Sequence, residues 1–167
     1  MAPADARCGS THLMALLLAF IFVTGSAWAH DFTTGAISVE HPWLRMPPPG
    51  AKSAGAYLRI RNDSSEDVAL QSVQSELAAS SSLHETTMVD GVARMRELTD
   101  GLEVGANEAV TLEPGGIHIM FTDLQRKLSV GELIPATVVF ANGEQLEVSF
   151  KVEPIGFATD YRPHEAQ

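Results

Sequence analysis

The 167-residue chain carries one cysteine, Cys8, and that residue precedes an apolar run from Leu13 to Val23. Arg7 before the run and the small-residue ending Ala27-Trp28-Ala29 after it have the pattern of a secretory signal peptide over residues 1–29. The run is eleven residues long, well short of the ~20 that a bilayer-spanning helix needs, and no later stretch is apolar enough to span. Cys8 does not stand at a cleavage site, so lipid anchoring is not expected. Cleavage after Ala29 would remove the thiol, which excludes a disulfide framework, a thiolate ligand and a cysteine nucleophile from the mature chain.

Positive charge is also scarce. Eleven Lys and Arg against twenty-one Asp and Glu give a formal net charge of −10, which disfavours nucleic acid and anionic membrane surfaces and suits a cation or a basic partner. Helical periodicity is missing as well. Short segments rich in Val, Ile, Leu and Phe alternate instead with Gly, Pro, Asn and Asp, the signature of an all-β chain. Expected strands are 36–40, 56–61, 68–73, 82–89, 92–98, 109–113, 117–122, 136–141 and 145–152, spaced as in a sandwich or barrel. Turn chemistry separates them at residues 46–50, 62–65, 90–91, 114–116 and 142–143, and Asn142-Gly143 is the firmest hairpin signal. The expected organisation is one domain over residues 30–153, followed by a polar C-terminal tail over 154–167.

What remains for chemistry is histidine and methionine. Outside the signal segment stand five of the six histidines and four of the six methionines. His118 and Met120 lie two apart in Gly116-Ile117-His118-Ile119-Met120-Phe121, so a strand turns both to one face while Ile117, Ile119 and Phe121 take the apolar core face. The segment from His84 to Met95 reads as a second hairpin, turning at Asp90-Gly91. A two-residue turn there sets Val89 opposite Val92, Thr86 opposite Met95, Glu85 opposite Arg96 and His84 opposite Glu97. His84, Thr86, Met88 and Met95 then share one face, with His84 diagonal to Met95 at ~7–8 Å between backbone positions. A one-residue slip would send Met95 to the other face.

Two imidazoles and two thioethers form a soft, neutral set that suits Cu(I) far better than Ca²⁺, Mg²⁺ or a thiolate-held structural zinc. Each residue alone has a plainer explanation, since methionine in a β-protein most often fills core and a single histidine most often sits at the surface. Met88 is expected to pack, Trp43 to anchor the core, and Glu85 and Arg96 to form a cross-strand ion pair.

The spacing His84, ten residues, Met95, twenty-two residues, His118-x-Met120 resembles the signature of the periplasmic copper chaperone family PCuAC, in which about twenty-one residues separate the Met from His-x-Met. The additional residue falls most simply near Leu98-Thr99-Asp100-Gly101, where a loop tolerates insertion. His41-Pro42-Trp43, Gly55-Ala56-Tyr57-Leu58, Leu83-His84-Glu85-Thr86 and Leu112-Glu113-Pro114-Gly115-Gly116 look like the same family. The resemblance implies a cupredoxin-like antiparallel β-sandwich binding one Cu(I) per chain through His84, Met95, His118 and Met120. It also implies delivery of copper for the CuA centre of cytochrome oxidase, with the CuA subunit and Sco-type thiol proteins as partners.

Other readings stay open at this point. A blue-copper electron carrier needs a cysteine ligand that the mature chain lacks. A copper enzyme could use the amine and imidazole of His30 as a new amino terminus. His30 and His164 could instead give a weaker second copper site in the tails. The chain could sequester copper rather than deliver it, or be a metal-free secreted interaction module. Burial of all four residues in apolar core would favour that last reading.

Overall fold

The computed structural model describes residues 31–157. The signal-peptide expectation, His30 and His164 lie outside the described residues. Among the described residues no helix is long and apolar enough to cross a membrane.

Among the described residues eleven strands form in chain order: β1 Phe32–Thr34, β2 Ile37–Arg45, β3 Ser53–Asn62, β4 Val68–Gln74, β5 Ala78–Val89, β6 Val92–Glu97, β7 Leu102–Val104, β8 Ala109–Thr111, β9 Ile117–Leu124, β10 Leu133–Phe140 and β11 Gln145–Glu153. They pair in the order β6-β5-β9-β3-β2-β11-β10-β4-β7, with β1 added to β2 and β8 to β3. The pairing is antiparallel except where β11 runs parallel to β2. The sheet folds over on itself as a cupredoxin-like β-sandwich. Phe121 on β9 and Phe150 on β11 are not sheet neighbours, yet their rings meet edge-to-face with centroids 6.1 Å apart, because the two layers pack their inner faces together.

The alternation of apolar and polar residues explains most of these strands. In β10 and β11 every second side chain is buried, from Ile134 to Phe140 and from Leu146 to Val152, and the Gly143 φ of +88° closes the hairpin between them. The core comprises Val39, Leu44, Leu58, Ile60, Leu70, Val73, Leu83, Ile119, Phe121, Phe140 and Phe150, with further aliphatics around them.

Three departures from the sequence expectation have physical causes. β2 continues to Arg45 past Pro42, which cannot donate to a ladder. His41 takes a φ of +49° and the register with β3 shifts between Glu40 and Trp43, so an irregularity absorbs the proline. β1 and β7 are three residues each, too short to display alternation. β5 begins at Ala78 because Ser80, Ser81 and Ser82 pair with β9, although serine carries little strand signal.

Candidate metal centre

The β5–β6 hairpin turns at Asp90 and Gly91, with φ values of +52° and +76°, the left-handed pair that a type I′ turn requires. Its register is the one expected from the sequence: Val89 opposes Val92, Thr86 opposes Met95, Glu85 opposes Arg96 and His84 opposes Glu97. The Glu85–Arg96 ion pair forms at 2.6 Å.

The longer-range step is the pairing of β5 with β9, which sets His84 opposite His118 and Ser82 opposite Met120. Residues directly opposed on neighbouring strands share a face, as do residues two apart on one strand. Met95, His84, His118 and Met120 therefore lie on one face of three adjacent strands, β6, β5 and β9. Ile119 and Phe121 point the other way, into the core.

Exposure on this face is graded. His118 is 5% exposed, His84 and Met120 are half-buried, and Met95 is 52% exposed. His118 was expected away from the core, and it does face away from Ile119 and Phe121. It is nevertheless buried, because aromatic side chains cover it: Tyr57 stands 6.4 Å from it, ring to ring, and Trp43 lies on Tyr57 at 4.4 Å. Trp43 is itself buried, though in this layer beside the histidines and not in the main apolar core where it was expected. Phe157 packs edge-on against Trp43 at 5.1 Å, and the Arg45 guanidinium sits over the Trp43 ring at 5.8 Å and the Tyr57 ring at 5.6 Å. Met88, expected to pack, is 66% exposed, since the hairpin reaches beyond the layer that would cover it.

Gly55 makes the aromatic layer possible. It pairs with Met120, and a Cβ there would lie 2.8 Å from the Tyr57 hydroxyl oxygen. Burial pushes the Tyr57 phenol above its ordinary value, with the nearby Arg45 charge acting in the opposite direction.

The two imidazoles are held differently. His118 Nδ1 lies 3.1 Å from the Gly116 carbonyl, the same oxygen that accepts the Thr86 N–H at 3.1 Å. A carbonyl can only accept, so Nδ1 carries the proton and Nε2 keeps its lone pair. His84 Nε2 lies 2.8 Å from Ser82 Oγ. Its Nδ1 is buried with no hydrogen-bond partner, an arrangement rare for a buried polar atom. With the proton assigned to Nε2, donated to Ser82, Nδ1 is left as a bare lone pair. Each ring thus has one nitrogen oriented and the other available, the arrangement that positions histidine for a metal. Among the described residues no three His, Cys, Asp or Glu side chains gather as a metal-binding group. The soft donors on the face are thioethers.

Residues 37–152 match the LpqE-like family, described as "Putative lipoprotein LpqE-like". The chain belongs to the LpqE-like family. All four residues of the face fall inside the matched segment. A relative from Leifsonia xyli subsp. xyli (strain CTCB07), "Putative lipoprotein Lxx21020", is 26% identical over 155 residues, covering 90% of this chain and 92% of the relative. Both descriptions carry the word lipoprotein. Cys8, on which lipid anchoring would turn, lies outside the described residues.

Among solved structures the chain is similar to PCuAC domains. A copper-bound PCuAC domain from PmoF2 is 27% identical with a TM-score of 0.64, covering 75% of this chain and 98% of that one. The Cu(I) form of DR1885 from Deinococcus radiodurans is 28% identical with a TM-score of 0.58, covering 76% and 83%. The cupredoxin-like β-sandwich expected of this chain is the fold of these domains, and the likeness supports a PCuAC-type copper-binding family.

Sequence reasoning gave no role at the site to Ser82, Gly116, Tyr57 or Arg45. Ser82 had a usable signal, since it precedes His84 by two in a strand and so shares its face. The aromatic cover had none, because it depends on contacts between distant segments, and the Gly116 carbonyl, two residues from His118, is a backbone group that residue type does not mark.

Proposed function

We propose that this protein is an exported carrier that binds one Cu(I) as cargo through His84, Met95, His118 and Met120 and passes it to a thiolate-bearing acceptor. The observation that carries this reading is the unpartnered, buried Nδ1 of His84 on a ring directly opposite His118. A bare nitrogen beside a second imidazole, on a face whose nearest soft donors are thioethers, fits Cu(I) and gives a hard oxygen-seeking cation little to bind. The copper-bound relatives support the same reading.

A carrier suits the chemistry better than a catalyst does. Neutral ligands add no charge to hold the ion, and Met95 at the exposed rim leaves a side from which acceptor thiolates can enter stepwise. No substrate bond need break. Through the resemblance to PCuAC proteins, the acceptor we infer is the assembling CuA centre of cytochrome oxidase, served alongside Sco-type thiol proteins in the periplasm. Sequestration is the competing role for the same site, and transfer assays to CuA-type and Sco-type acceptors separate the two.

The test of binding is anaerobic Cu(I) titration in competition with a chromogenic chelator, comparing the native protein with folded Met95→Ile and His118→Ala variants. One equivalent bound tightly, and sharply weakened in both variants, is the expected result. Retention of full affinity in both variants would remove these four residues as the site and move attention to the tail histidines, His30 and His164.

A further inference from the structure

Met88 has no place in the four-residue set, yet the hairpin holds it in line with that set. It pairs with Ala93, while Met95 pairs with Thr86. Met95 is therefore one diagonal step from Met88 on one side and one diagonal step from His84 on the other. Each step is ~7–8 Å between backbone positions, within the reach of long side chains. Exposure rises along the same line, from His118 at 5% to Met95 at 52% and Met88 at 66%. Met88 is the most exposed of the large apolar side chains in the described residues. A thioether that neither packs nor hydrogen-bonds strongly costs apolar exposure and returns nothing to the fold. The rigid type I′ turn keeps it on the ligand face and not on the face of Val89 and Val92.

We infer that Met88 is a transfer ligand: its thioether takes up Cu(I) at the outer end of the hairpin and hands it to Met95, and takes it back on release. This rests on the four-residue copper site proposed above and adds a route to it. The step is ligand exchange. Met88 Sδ forms a Cu–S bond as one donor bond to the delivering complex breaks, and that bond breaks in turn as Met95 Sδ and the imidazoles bind. Copper stays Cu(I), and no electron or proton changes hands. A ligand that touches the ion only along the path lowers the barrier equally in both directions. Loading and release should both slow without Met88, and the dissociation constant should hold.

The experiment delivers Cu(I) as a small chromogenic chelate, so no protein partner is present and any docking role of the apolar hairpin tip is silent. Stopped-flow absorbance follows copper moving from chelate to full-length protein and back, for the native chain, Met88→Leu, Met88→His and Met95→Leu. The expected result is an exchange rate lowered about tenfold in both directions in Met88→Leu, equivalent to ~1.4 kcal/mol of barrier, with affinity kept. Met88→His should recover the rate, because imidazole also binds Cu(I). Met95→Leu should lose affinity. Native exchange rates in Met88→Leu would overturn the proposal while leaving the site intact, and so would a loss of affinity in Met88→Leu equal to that of Met95→Leu. Absence of Cu(I) binding by the native protein would remove the site itself, and the transfer role with it.

Discussion

His84 and His118 face each other directly across β5 and β9, their ring centroids 5.9 Å apart and their planes 34° from parallel. Thirty-three residues separate them in the chain, so their meeting is a product of the sheet and not of any local motif. Imidazole coordinates a metal only through a deprotonated nitrogen, so protons compete with copper for both rings. Affinity is expected to fall as the solution is acidified. Competition titrations between pH 7.5 and pH 5 check this, and an affinity unchanged across that range would count against two imidazole ligands.

The hydroxyl of Ser82 orients His84 through Nε2. Removing such an orienting partner typically costs 10–100-fold in metal affinity. Ser82→Ala should therefore weaken Cu(I) binding by at least about tenfold while leaving the circular dichroism spectrum and unfolding midpoint nearly native. Native affinity in Ser82→Ala would show that the ring is held by its packing alone.

Gly55 lies beneath the Tyr57 ring, where a Cβ would meet the hydroxyl oxygen at 2.8 Å and the ring carbon bearing it at 3.3 Å. Trp43 stacks on the same ring, which limits its escape. Gly55→Ala is expected to cost ~1–3 kcal/mol by overpacking, read from denaturant unfolding. The double variant with Tyr57→Phe should recover part of that loss, since the closest atom is gone. An additive cycle would place the strain elsewhere.

Tyr57 should also leave a mark at alkaline pH. Burial raises its pKa above the ordinary 10.0, against the opposing pull of Arg45. A raised folded value means that the neutral phenol's contribution is fully present below the unfolded value and is lost as pH climbs through the folded one. Stability of the native protein should fall more steeply above about pH 10 than that of Tyr57→Phe. Only one other tyrosine, Tyr161, is present, so the late phase of phenolate absorbance should vanish in the variant.

Far from this face, Asn62 is completely buried. Its amide nitrogen donates to the carbonyls of Glu66, Val104 and Gly105, and its amide oxygen accepts from the Ser64 amide and hydroxyl. Asn62→Leu strands the buried Val104 carbonyl and removes the partner of the part-buried Glu66 and Gly105 carbonyls, and an unsatisfied buried group costs ~1–3 kcal/mol. A large fall in unfolding free energy is expected. Copper stoichiometry of the folded fraction should be native, because Asn62 lies seven residues along β3 from Gly55, about 23 Å at ~3.3 Å per residue.

How much of this was legible in the sequence differs by element. The β5–β6 hairpin could be worked out residue by residue, because Asp90-Gly91 dictates a two-residue turn and a period of two then assigns every partner. Separation of His118 and Met120 from Ile119 and Phe121 followed from the same period. Pro42 concealed the second half of β2, since a proline argues against a central strand unless the ladder is interrupted. Met88 was misjudged because methionine in a β-protein usually packs, and only the reach of the hairpin past its covering layer leaves it bare.

The amino-acid sequence determined an all-β chain, the hairpin register and the soft, neutral character of the donors on it, because each of these follows from side-chain alternation, turn chemistry or residue type within a few positions. Tertiary structure alone decided that β9 pairs with β5, that His84 therefore confronts His118, and that Tyr57 and Trp43 bury the latter. Those contacts join segments tens of residues apart. Packing of the two apolar faces selects them, and no local pattern encodes which strand becomes whose neighbour.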